Sequence, residues 1–173
     1  MNISIRRAFG CAISALLLVR SAPTLSSPAQ AADTVMTQEQ AGAYYLTHAC
    51  NPLKARIRFI NKLSRDGRSI RFTDVKERFP LFKREADRLG VAQTKFGTKL
   101  LNPPALWPVE VASPVLAVAG IALTSGAILD RAGKASTPAG WWRQFGKANN
   151  LLAKIDTRLP KIRALLNLPP DVC

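Results

Sequence analysis

Apolar residues recur at steps of three and four along three stretches of the chain, and a fourth stretch is apolar at nearly every position. In the first, Leu46, Cys50, Leu53, Ile57 and Ile60 share one helical face, with Arg56, Arg58 and Lys62 elsewhere. Thr37 with Gln40 has the spacing of a capping box. The pattern predicts a helix over 37–63, kinked near Pro52 and ended by Asp66-Gly67. Residues Ser69–Phe79 read as a connection with one helical turn from Thr73. Pro80 then opens a helix over 80–101, striped by Phe82, Ala86, Leu89, Ala92, Phe96 and Leu100 and stopped at Asn102-Pro103-Pro104. The last helix, over 138–167, starts at Thr137-Pro138 and has the most regular stripe: Trp141, Phe145, Ala148, Leu152, Ile155, Leu159, Ile162 and Leu166. Its pattern runs on through Pro160, so a kink is expected there and no break. Trp141 and Trp142 point roughly 100° apart, so one is core and the other a surface contact point.

The uniformly apolar stretch is Val111–Leu129, without a charged side chain, within an expected helix over 108–132 ended by Gly133. Its length suits a membrane span. Its content of Ser, Thr, Gly and Ala suits a helix buried among others. Ser113, Ala117, Gly120 and Thr124 fall on one line and would let a neighbouring helix approach closely.

Four helices with short links and apolar stripes imply an all-α fold, an antiparallel four-helix bundle. Three amphipathic neighbours can cover Val111–Leu129, which a single membrane span would leave with nothing to bury. In up-down-up-down order the end of the last helix lies beside the start of the first. A five-residue tail reaches roughly 17 Å, and Cys50 sits about 20 Å along the first helix. Cys50 and Cys173 can therefore meet as a disulfide, closing a long loop.

At 173 residues the chain is one domain behind a targeting segment. Arg6 and Arg7, the apolar run Ala8–Val19 and Ala29-Gln30-Ala31 have the order of a secretory signal peptide, residues 1–31, leaving a domain of 32–173. Arg6-Arg7-Ala8-Phe9 is similar to the start of a twin-arginine signal, so either export route stays open. Cys11 lies too early to accept a lipid anchor. Cleavage removes three arginines and no acids, lowering the formal charge from +14 to +11. The excess is densest in Lys54–Lys99, fourteen basic residues against five acidic. Arg56, Arg58, Lys62, Arg65, Arg68, Arg71, Lys83, Arg84 and Arg88 are the expected contacts for a polyanion. Nucleic acid is disfavoured, because no aromatic residues interleave with the basic ones to stack bases.

Catalytic patterns are missing. His48 is the single histidine, and at i and i+2 on a helix it points away from Cys50. The two mature cysteines fit no zinc spacing. Neither a phosphate-cradling glycine loop nor a nucleophile elbow occurs. The carboxylates mostly stand beside Lys or Arg, as in Lys83-Arg84-Glu85. No enzyme activity, cofactor, metal or small-molecule substrate is therefore expected. The sequence predicts a secreted, disulfide-linked protein that acts by binding anionic cell-envelope polymers or an anionic lipid surface through its basic face. The alternative is a membrane-associated protein, spanning through 111–129 or anchored by an uncleaved signal.

Ala43-Tyr44-Tyr45-Leu46 with Asn51 a few residues on, Trp107-Pro108 before a helix, a tryptophan early in the last helix, and the ending Ile162-Arg163-Ala164-Leu165-Leu166-Asn167-Leu168-Pro169-Pro170 together resemble a loose group of small exported helical proteins of actinobacteria. The resemblance implies export and a helical fold, and no particular activity. Members are often lipid-anchored. This chain lacks the attachment cysteine at its cleavage site, and its third helix is more apolar than the group's pattern.

Overall fold

Thr37 opens the first helix as its spacing predicts. Its hydroxyl accepts from the Gln40 N–H at 3.2 Å, and the Gln40 side chain accepts from the Thr37 N–H at 2.9 Å. The computed structural model describes residues 34–66, 69–170 and Cys173. The expected signal segment, Gly67 and Arg68 lie outside the described residues. The protein is all-helical, with its helices packed against one another. They are α1 (Gln38–Leu63), α2 (Phe72–Glu77), α3 (Phe79–Leu101), α4 (Val109–Gly133), α5 (Pro138–Asp156) and α6 (Leu159–Leu165). Among the described residues the one extended pairing is a parallel bridge between Val35 and Leu106, which ties the segment before α1 to the loop after α3.

The stripe read for α3 is its buried face, with Phe82, Ala86, Leu89, Phe96 and Leu100 all inside and Ala92 half-buried. Trp141 of α5 is also fully buried. It stacks on Phe145, meets Phe82 edge-on at 5.1 Å, and donates its indole N–H to the Phe82 carbonyl at 3.1 Å. Trp142 stays outside, against Phe72. Trp107 is anchored by a 2.9 Å bond from its indole N–H to the Leu100 carbonyl. Burying each indole with its donor satisfied gains apolar contact without leaving a polar group unpaired.

Three expectations need correcting. On α1 the buried residues are Ala41, Tyr45, Ala49, Pro52, Phe59 and Leu63; Ile57 is 49% exposed and Cys50 only half-buried. The buried stripe is the same three-and-four pattern shifted by one residue, so the larger Leu and Ile positions fall roughly 100° away, toward the rim. The last helix is divided, α5 ending at Asp156 and α6 starting at Leu159. Pro160 has no N–H to continue the ladder, so the chain turns at Thr157-Arg158 and restarts with the proline in the first turn of α6. The buried stripe nevertheless runs across the division, through Ile155, Ile162 and Leu166.

The third difference is in α4, which packs between α3 and α5 with α6 beside it. Val111, Val115, Val118, Ala119, Ala122, Gly126 and Leu129 face inward. The line Ser113, Ala117, Gly120 and Thr124 faces outward and is exposed, together with Leu116. The Thr124 hydroxyl is satisfied by the Gly120 carbonyl one turn back, at 2.8 Å. The close approach uses the opposite side, where Gly90 and Gly97 of α3 face Ala119 and Gly126 of α4.

At the chain's end, Asn167 takes a left-handed conformation (φ 52°), and the Leu168 N–H returns to the Arg163 carbonyl at 2.9 Å. This is a Schellman-type stop, for which Asn is well suited. The tail then follows α1. Gln38 donates to the Leu165 carbonyl at 2.6 Å, Leu166 and Leu168 lie over Gly42, and Cys173 is bonded to Cys50 with Cα atoms 5.1 Å apart. The expected disulfide pair is thus joined in the structure.

Candidate functional site

A groove of about 840 Å³ opens between α1 and α3. Its floor is apolar: Pro52, Ala55 and Phe59 from α1, and Leu89, Ala92 and Phe96 from α3. Ala55 and Ala92 leave space that longer side chains would fill. Basic residues stand along its walls, Arg58 and Lys62 from α1 and Arg88, Lys95 and Lys99 from α3. One acid, Glu85, lines it among the described residues.

The two ends differ in charge. Glu85 is 5% exposed, and its carboxylate accepts from Lys62 Nζ at 3.4 Å and Arg88 Nη1 at 2.8 Å, with Arg84 Nε at 3.6 Å. A buried carboxylate needs such partners, and three exposed cations supply them. At the other end Lys95 and Lys99, one turn apart on α3, have no carboxylate within ion-pair distance among the described residues. His48 of α1 lies at this end. Its ring packs edge-on against Tyr44 at 4.6 Å. Burial, and then the charge of Lys99, hold the imidazole below its ordinary pKa. Tyr44 donates its hydroxyl to the Lys99 carbonyl at 2.9 Å, and burial pushes its pKa up. Tyr44 therefore fixes both His48 and the C-terminal turn of α3.

The structure separates the basic residues singled out from the sequence. Arg58, Lys62 and Arg88 come together in the groove. Arg84 is drawn to Glu85, and Arg56 pairs with Asp156 across to α5. Arg65 and Arg71 serve the buried Asp74 of α2, Arg65 at 2.9 Å and also bonded to Glu77, Arg71 at 3.8 Å. Lys83 lies over the Phe79 ring, 5.6 Å from its centroid. Lys95 and Lys99 lie outside the set expected from the sequence, although their four-residue spacing beside Phe96 is a readable signal. Chemically the groove offers apolar surface, positive charge and one imidazole.

No protein-family model matches the chain, and neither a curated protein nor a solved structure does.

Proposed function

We propose that the mature chain acts outside the cytoplasm as a non-catalytic binding protein, with the α1–α3 groove as its site and an anionic component of the cell envelope as its partner. In this reading α1, α3, α4 and the α5–α6 pair form an antiparallel four-helix bundle, exported behind a signal cleaved near Ala31. The observation that carries it is the imbalance within the groove, five basic side chains against one carboxylate, that carboxylate already surrounded by cations. Converging positive charge in a partly water-excluded cleft concentrates anions more strongly than the same charge spread over a convex surface.

The test is retention of the mature protein on an immobilised phosphate polymer under a salt gradient. Reversing Lys95 and Lys99 to Glu is expected to move elution to clearly lower salt. An equal charge change at Arg131 and Lys147, exposed on α4 and α5, should move it much less. Equal shifts would reduce the interaction to net charge, and elution with neutral proteins would remove the anionic partner.

A second reading is favoured by the exposed outer face of α4, where Leu116, Ala117 and Gly120 meet solvent. Here the protein is membrane-associated through 111–129. Alkaline carbonate washing of membranes separates the two, since release supports the groove reading and retention the membrane one.

A further inference from the structure

We infer that the ligand of the α1–α3 groove is a single-chain anionic amphiphile, an alkyl or acyl tail ending in a carboxylate or phosphate. This rests on the binding reading above and names its ligand class. The tail lies along Pro52, Ala55, Phe59, Leu89, Ala92 and Phe96, and the head sits between Lys95, Lys99 and His48.

A purely hydrophilic polyanion would meet the charged walls and leave the open part of the floor, at Ala55 and Ala92, in water. A neutral hydrocarbon would cover the floor and leave Lys95 and Lys99 without a counter-charge. Only a molecule with both parts matches both surfaces, and the unequal ends orient it. Lys62, Arg84 and Arg88 already surround Glu85, whereas Lys95 and Lys99 pair with no carboxylate among the described residues. From Leu89 to Lys99 the helix rises roughly 15 Å, so tail and head fit within one side of the cleft.

Size separates this ligand from a peptide partner. A helix 10–12 Å wide occupies on the order of 140 Å³ per residue. The groove of about 840 Å³ holds only about six such residues, whereas its volume is ordinary for a small-molecule site.

The experiment is calorimetric titration of the mature, disulfide-intact protein with octyl, decyl and dodecyl phosphate below their micelle-forming concentrations. Inorganic polyphosphate and dodecyltrimethylammonium serve as comparison ligands. Affinity for the phosphates is expected to rise about twofold per methylene, because an open groove covers each methylene on one side, with no measurable binding of the ammonium. Lys95→Glu with Lys99→Glu should weaken every phosphate on the order of tenfold while keeping the chain-length slope. Ala92→Trp should flatten that slope, and Ala55→Leu should do so if the tryptophan variant does not melt cooperatively. Equal affinity for the three phosphates, with polyphosphate still bound, overturns the amphiphile and leaves the anionic-partner reading standing. Loss of polyphosphate and alkyl phosphates together overturns both. Tighter binding of a synthetic acidic amphipathic helix than of dodecyl phosphate, lost in the same variants, assigns the groove to a peptide instead.

Discussion

The backbone carbonyl of Ala119 on α4 stands where a side chain on Gly97 of α3 would have to go. A Cβ built on Gly97 would meet that oxygen, and Cγ of Leu123, at 2.8 Å each. The contact is reciprocal further along, where a Cβ on Gly126 would lie 2.4 Å from the Thr94 hydroxyl and 3.0 Å from the Gly90 carbonyl. Gly97→Ala therefore forces α3 and α4 apart. Overpacking of this kind costs about 1–3 kcal/mol, against a helix-propensity gain of about 1 kcal/mol. Gly120→Ala, on the open face with no atom within 4 Å of the new Cβ, should instead stabilise by about 0.5–1 kcal/mol. Urea unfolding of the two variants reads the contrast. Equal effects would mean that the helices do not approach closely at Gly97.

Cys50 and Cys173 are 123 residues apart in sequence and joined in space. Closing so long a loop restricts the unfolded chain by close to 5 kcal/mol in the chain-entropy model. Gln38 and Gly42 hold the same tail without the bond, so Cys173→Ser should lose about 2–5 kcal/mol and remain folded. Thermal melting with and without reductant measures it. A wild-type midpoint insensitive to reductant would contradict the pairing.

Tyr45 is fully buried, and its hydroxyl has no hydrogen-bond partner among the described residues. Burial pushes its pKa up to about 12, opposed in part by Arg163. The folded state thus holds this proton more tightly than the unfolded chain, so stability is lost as pH rises from about 10 toward 12. In an ultraviolet titration of the native protein Tyr45 should ionise only near that upper limit. Tyr45→Phe removes a desolvated hydroxyl without changing the ring and should raise stability by up to about 1 kcal/mol. A loss of stability in this variant would indicate a bonded hydroxyl.

His48 works in the opposite sense. Its folded pKa lies below the ordinary value of about 6.5, so the unfolded chain binds the proton more readily. Stability should be complete above pH 6.5 and fall as the solution is acidified below it. An anion bound beside Lys99 would raise the imidazole pKa, so a ligand that keeps its charge through the window, such as decanoate, should bind more tightly as pH falls from about 7 toward 6. His48→Gln should remove this contribution to both trends. Proton NMR of the single imidazole, with and without decanoate, checks the direction of each shift.

Most helix boundaries were legible in the chain, because they depend on neighbours a few residues apart. Thr37 and Thr137 cap what their hydroxyls can reach, Asn102 and its two prolines stop α3, and α4 ends at Gly133. Stripes were legible where apolar and charged residues alternate, as on α3 and from Trp141 to Leu166. The division at Thr157-Arg158 was missed, since a continuous stripe says nothing of whether the backbone ladder survives Pro160.

The face of α4 was beyond any local pattern. Both sides of the helix mix Ala and Gly with hydroxyl residues, Ser113 and Thr124 on one and Ser125 on the other, so burial alone gives little contrast by which to choose, and Gly90 and Gly97 on the facing helix select Ala119 and Gly126. The groove was hidden for the same reason. Composition reveals an excess of positive charge, but Arg56, Arg65 and Arg71 end up neutralised by partners distant in sequence or across a turn. Among the described residues Lys95 and Lys99 have no carboxylate partner, because folding brings them to the His48 end of the groove and not beside an acid. Short-range steric and hydrogen-bonding rules act within a few residues and can be read along the chain, whereas pairing of charges and meshing of surfaces depend on which helix arrives opposite.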